Sequence, residues 1–386
     1  MSVFEIIAIV LTIAAVLGFI NHRFVKLPTT IGIMLFSMLF SLCLVIAGQF
    51  IPAIGDAANS VIGQVDFEEV LLDVMLSYLL FAGALHVDLS NLAKQSKLIA
   101  IMATLGVCLS TFLVGTVMYY LLPLFGIEIQ YIYCLLFGAL ISPTDPVAVL
   151  GILKKAGVRK SMETKITGES LFNDGVGVVV FLAILGISKG KLEFTFGDIA
   201  HLFAVEALGG IVLGLVLGFI GFWMLRTIDN YQIEVLITLA LVTGGYAFAL
   251  ALHLSGPLAM VVAGLMIGNQ GRLLAMSETT REHLDLFWEL IDEILNALLF
   301  ALIGLELILV ADKVQPIWLG IGALTIVVVL ACRFVAVSVP VTILRPFQKF
   351  SPGVIRMLTW GGLRGGISGA LALALPKEGG RDLFLT

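Results

Sequence analysis

Two short polar clusters carry most of the chemistry this sequence offers. In Ser142-Pro143-Thr144-Asp145-Pro146, two prolines bracket an acid inside an otherwise apolar run. Proline has no N–H to donate and its ring clashes with the preceding turn, so a regular helix does not run through such a stretch. Unwinding there exposes carbonyl oxygens beside Asp145, the hard oxygen surroundings that a desolvated cation requires. A plainer reading of the same five residues is a proline kink with Asp145 capping a new helix start.

The second cluster is Gly168-Glu169-Ser170-Leu171-Phe172-Asn173-Asp174-Gly175. At about 100° per residue, Glu169, Asn173, Ser170 and Asp174 fall within roughly 140° of arc, so they share one helix face. Leu171 and Phe172 point the other way, and 176–185 returns to apolar character. The competing reading is polar glue between helices. A carboxylate in apolar surroundings resists a bare charge and therefore holds either a proton or a cation. One such group exchanges the two by competition, and Asp174 is the first candidate. Asp145 would be the second acid of the same site, Thr144 and Ser170 its neutral oxygens, and Asn173 a neutral hydrogen-bond partner.

Two arginines also need partners. In Trp360-Gly361-Gly362-Leu363-Arg364-Gly365-Gly366, glycines surround Arg364 within an apolar run, which suits a second broken helix, counterpart of the first. Arg333 lies in Ala331-Cys332-Arg333-Phe334. A charge at membrane depth costs about 2.5–3.5 kcal/mol on insertion scales, so each is expected to meet a compensating group. Glu169 is the best acid for one of them. Arg364 would neutralise an acid or repel cations from the wrong path. Arg333 has a second reading, snorkelling to the interface, and Glu306 is either a further partner or the outer end of its helix.

The elements that position these residues follow from composition. The 386 residues are 60% hydrophobic and 13% charged, with a mean hydropathy of +1.09 and a net charge of -5. A water-soluble domain carries about 25% charged residues, so most of this surface faces lipid. Apolar runs near 3–20, 28–50, 68–86, 98–122, 129–152, 165–187, 198–225, 232–252, 256–269, 286–310, 316–344 and 353–375 predict twelve spans in a single domain over 1–386. With the N-terminus outside, fifteen Lys and Arg residues fall in cytoplasmic loops or at their span ends and five in external ones, leaving only Arg333 and Arg364 deep inside apolar segments. That asymmetry suits a multi-pass protein of a bacterial or archaeal cell membrane. The first run lacks a charged leader and a small-residue cleavage site, so it reads as a retained span. The four cysteines (Cys43, Cys108, Cys134, Cys332) lack metal or redox spacing and read as packing residues.

These motifs, in this order, resemble the monovalent cation:proton antiporters, in the electroneutral sodium/hydrogen exchanger branch. Weaker agreement comes from Ser255-Gly256-Pro257-Leu258-Ala259, Ala263-Gly264-Leu265 and Leu299-Phe300-Ala301-Leu302-Ile303-Gly304-Leu305-Glu306. The resemblance covers about residues 20–375. It implies an all-α membrane protein of about thirteen spans, in two inverted six-helix repeats crossing at broken helices, working as a homodimer by alternating access. It also implies that Asp174 carries the exchanged ion, with Thr144, Asp145, Glu169, Ser170 and Asn173 shaping the site, and that Asn173 before Asp174 goes with one-for-one exchange. Two departures stand out. The sequence ends at Thr386, where a thirteenth span is expected to begin. Many relatives carry an acid near Phe81-Ala82-Gly83, where this chain is apolar and Asp73 lies about two turns earlier.

The expected function is exchange of Na+ (or Li+) for H+, with Na+ held by Asp174, Thr144 and Ser170 and no bound cofactor. Alternatives are K+/H+ antiport and a cation channel, which does not require cation and proton to compete for one carboxylate. An intramembrane hydrolase built on Ser170 lacks a base, since none of the five histidines neighbours it in sequence. No phosphate-binding glycine loop supports ATP drive, and nothing points to nucleic acid.

Overall fold

The computed structural model describes residues 3–27, 29–51, 75–145, 149, 157, 160–190, 204–311, 315–346, 350, 352–373, 375 and 380–384. Among the described residues every regular element is helical. The helices are α1 (Val3–Ile20), α2 (Thr29–Phe50), α3 (Leu76–Leu85), α4 (Leu89–Ile101), α5 (Val107–Leu121), α6 (Tyr131–Leu140) and α7 (Lys160–Ser188). They continue as α8 (Gly209–Thr227), α9 (Tyr231–Ala251), α10 (Gly256–Met266), α11 (Glu278–Ala311), α12 (Pro316–Leu344), α13 (Val354–Trp360) and α14 (Gly366–Leu373). Seven described helical stretches are long and apolar enough to cross a membrane. Large apolar side chains such as Phe19, Phe219, Trp223, Leu236 and Ile326 lie exposed on the outside, as lipid-facing residues do.

Each of the twelve apolar runs contains a described helix, but several helices begin earlier than hydropathy suggests. The run from 98 starts structurally at Leu89, where the Asp88 carboxylate accepts from the N–H groups of Ser90 (2.8 Å) and Asn91 (3.2 Å). This N-cap sets the boundary, and the polar residues Lys94, Gln95 and Lys97 lie inside the helix. α11 likewise begins eight residues ahead of its apolar part, where Ser277 Oγ accepts from Thr280 N–H at 3.3 Å. Asn230 and Ser255 cap α9 and α10 in the same way.

The two proline- and glycine-rich clusters behave differently. α6 stops at Leu140 and residues 142–145 leave the helix; α13 stops at Trp360 and α14 starts only at Gly366. Residues 146–148 lie outside the described residues, as do Asp73 and the side chain of Glu306.

Small residues bring the helices close. α5 and α6 meet at Gly115 and Gly138, and a Cβ on Gly138 would lie 2.2 Å from the Thr111 carbonyl oxygen. α8 meets α10 at Gly210 and Gly214 in the same fashion. One apolar core joins α3, α5, α6, α7 and α14, and a second gathers α3, α8, α9, α10 and α11 around the fully buried Trp288. The Trp288 indole N–H donates to Thr238 Oγ1 at 3.1 Å. Gly138→Ala is therefore expected to lower stability by about 2 kcal/mol through overpacking. Gly320→Ala, with nothing within 4 Å, should leave the fluorescence-monitored melting temperature in detergent unchanged or slightly raised.

Candidate functional site

The two interrupted helices cross, and each supplies what the other lacks. Pro143 and Pro146 have no N–H, so the turn after α6 cannot close its own hydrogen bonds. Asp145 N–H instead donates to the Leu363 carbonyl at 2.8 Å. In return Arg364 Nη1 donates to the Ser142 carbonyl (2.7 Å) and to the Pro143 carbonyl (3.0 Å). The approach is backbone against backbone. A Cβ on Gly365 would fall 2.3 Å from Asp145 Cβ, and one on Gly177 of α7 would fall 2.4 Å from Pro143 Cγ.

Behind the crossing lies a buried polar layer. Asn173 Nδ2 donates to Thr144 Oγ1 at 2.8 Å, while its Oδ1 accepts from the Thr144 N–H at 3.3 Å. Thr144 Oγ1 also bonds Ser170 Oγ at 3.0 Å. All three residues are buried. Asn173 thus satisfies an unwound backbone N–H and fixes the Thr144 rotamer, leaving the hydroxyl lone pairs only partly used. Ser142 Oγ donates to the Gly138 carbonyl at 2.6 Å, closing the end of α6.

A cavity of about 590 Å³ reaches this layer. Asp174, Asp145, Thr144 and Pro143 line it, and Gly365 and Ser368 of the second broken helix line the same space. Ser170, Asn173 and Glu169 do not line it. Of the three residues expected to hold Na+, Asp174 and Thr144 therefore face the cavity, and Ser170 stands behind Thr144.

Glu169, expected both in the cation set and in an ion pair, is taken by Arg333. Arg333 Nη2 donates to Glu169 Oε1 at 2.5 Å, both side chains being 3% exposed, and reaches the Leu358 carbonyl at 3.4 Å. Arg333 thus sits in the interior, not snorkelled to the interface. Gly362 packs against it, since a Cβ there would lie 2.7 Å from Arg333 Nε. The described bonds of Arg364 run to carbonyls, where an acid partner was expected. The reason is local: unwinding after α6 leaves carbonyl oxygens without helical donors, and a guanidinium with five N–H groups satisfies two of them at once.

The cavity is also lined by residues that sequence reasoning did not select: Asp292, Asn296 and Glu289 of α11, Glu163 of α7, and His86 with Asp88 after α3. His86 is exposed, yet it lines the cavity and its Nδ1 contacts the Ala82 carbonyl at 2.9 Å. A signal was present in α11, where Glu282, Asp285, Glu289 and Asp292 recur at three- and four-residue steps along one face. Arg272 pairs with Asp285 of that stripe.

Comparison with known proteins decides the family. A profile described as "Sodium/hydrogen exchanger, transmembrane" matches residues 9–384. The chain belongs to the sodium/hydrogen exchanger family. It is 51% identical to the Na(+)/H(+) antiporter NhaP of Pseudomonas aeruginosa over 99% of this chain and 91% of that one. It is 33% identical to the Na(+)/H(+) antiporter NhaH of Halobacillus dabanensis over 94% of this chain and 87% of that one. The fold is similar to the sodium proton antiporter MjNhaP1 of Methanocaldococcus jannaschii, with a TM-score of 0.74 at 19% identity, covering 96% of this chain and 85% of that chain. The protein is a multi-pass, all-helical membrane transporter.

The Glu169–Arg333 pair makes a direct energetic prediction. Glu169→Leu alone leaves a buried guanidinium uncompensated and is expected to cost about 3–5 kcal/mol. The double substitution Glu169→Leu/Arg333→Met should recover most of that loss in a detergent melting assay. A double variant as unstable as the single one would show that the pair does not act as a compensated unit.

Proposed function

We propose that this chain exchanges Na+ (or Li+) for H+ across the cytoplasmic membrane, one for one, with cation and proton competing for the Asp174 carboxylate. The observation that carries this reading is the placement of Asp174, Asp145 and Thr144 on one cavity, beside the bond that joins the two helix breaks. Asp174 offers a charged oxygen and Thr144 a hydroxyl. Asp145 adds negative potential, and Ser170 and Asn173 hold Thr144 in place. Hard oxygen donors in this mixture of charged and neutral types suit a desolvated alkali cation. When the cation leaves, a proton neutralises the same carboxylate, because a bare charge beside a second acid in a poorly hydrated site is unfavourable.

Family membership supports this choice of ions, as do the names of the bacterial relatives, each an Na(+)/H(+) antiporter. Asp88 and Glu163 also line the cavity, next to segments that the basic loops assign to the cytoplasm when the N-terminus is outside. Alternating access would expose the site to one side of the membrane at a time. A homodimer, in which one part of each protomer stays fixed while the crossing moves, belongs to the same proposal.

Sealed vesicles holding the protein, a pH gradient and a pH-sensitive dye test it, with the membrane voltage clamped. Adding NaCl or LiCl should collapse the gradient, KCl should do so less, and Asp174→Asn should abolish the response while the protein stays folded. Normal exchange in Asp174→Asn would remove this carboxylate from the mechanism. No collapse with any salt would remove exchange itself.

A further inference from the structure

Ser368 sits in the first turn of α14, just past the second helix break, and is 6% exposed. Its hydroxyl has no hydrogen-bond partner among the described residues. It also lines the cavity that reaches Asp174, Asp145 and Thr144. A serine inside a helix ordinarily satisfies its hydroxyl by back-bonding to the carbonyl one turn earlier. Here the preceding turn does not exist, because residues 362–365 are not helical. The break that presents Leu363 O to Asp145 therefore also leaves the buried Ser368 hydroxyl, in the wall of the cavity, without that acceptor.

Gly365 stands three residues earlier, at the end of the non-helical stretch, and packs closely against Asp145: a Cβ there would lie 2.4 Å from Asp145 Oδ2. The first broken helix contributes Thr144 and Asp145 to the cavity, α7 contributes Asp174, and the second broken helix contributes an unused neutral oxygen. Buried hydroxyls are almost always bonded. An unbonded one in the wall of a cavity that also holds two acids has an oxygen free to ligate a cation.

We propose that Ser368 supplies a further neutral oxygen to the transported cation, making the second broken helix a direct participant in cation selection. This rests on the reading of Asp174 as the exchange site. A hydroxyl adds a hard ligand without charge, so it strengthens cation binding while leaving the proton's place on Asp174 untouched. Its loss should therefore be felt in cation affinity and not in turnover.

The test measures Na+- and Li+-driven exchange by the wild type, Ser368→Ala, Ser368→Thr and Ser368→Cys at one fixed pH, together with their melting temperatures. Ser368→Ala should raise the apparent KM for Na+ about three- to tenfold at unchanged saturating turnover and melting temperature, with Ser368→Thr close to wild type. Ser368→Cys keeps the shape but replaces a hard oxygen with soft sulfur, so it too should lose Na+ affinity, and it decides the matter if the alanine variant fails to fold. An unchanged KM in both the alanine and cysteine variants would overturn the proposal. So would a fall in turnover and melting temperature at constant KM, the mark of a purely structural role. If the wild type shows no Na+ exchange at all, the failure lies with the parent reading of Asp174.

Discussion

The structure depends on two helices that cannot be completed by their own backbones. In lipid there is no water to satisfy an unpaired N–H or carbonyl, and irregular backbone persists only where protein or a water-filled cavity covers it. The chain leaves the helix at 142–145, around Pro143, and again at 362–365, among the glycines around Arg364. The Asp145–Leu363 backbone bond and the two Arg364–carbonyl bonds let each break satisfy the other. Neither break is tolerable alone at this depth. The crossing is therefore a single unit, and the glycines at 365 and 177 exist to let it form without a Cβ in the way.

Once the crossing is fixed, the roles of the nearby side chains follow. Asn173 bonds both the N–H and the hydroxyl of Thr144, so α7 registers against the first broken helix at one residue. The same helix sends Glu169 to Arg333 of α12, tying the polar layer to a third element. Asp174, one residue beyond Asn173, turns into the cavity instead. A short stretch of one helix thus holds the structure together with two side chains and offers a third to the cavity. In the proposed exchange, that division keeps the ion-binding carboxylate free while its neighbours stay committed.

Much of this was legible in the sequence, and what was not has physical causes. The polar face 169–174 was visible because helical periodicity places those residues together whatever they pack against. The breaks were visible because proline and glycine act on the local backbone. The partner of Arg364 was not. An arginine suggests an acid, and only the three-dimensional crossing shows two carbonyls that need donors more. Ser170 was grouped with Thr144 as a cation ligand, whereas the structure places it behind Thr144, a difference in depth along the cavity that spacing does not encode. Helix starts at Leu89 and Glu278 were hidden because hydropathy marks where lipid begins, while caps at Asp88 and Ser277 mark where the helix begins. The acidic lining from α11, Glu289 and Asp292, lay inside the expected span 286–310 and went unread as part of the cavity because hydropathy does not say which side of a helix faces a cavity.

The central claim is that one carboxylate holds either the cation or the proton. Calorimetric titration of the purified protein with Na+, repeated in buffers of different protonation enthalpy and over a range of pH, tests it most directly. Competition predicts that each Na+ bound near the titration of the site releases about one proton, and that apparent affinity weakens as pH falls. Na+ binding that releases no proton and keeps its affinity as pH falls would contradict a shared carboxylate, whatever the transport assays show.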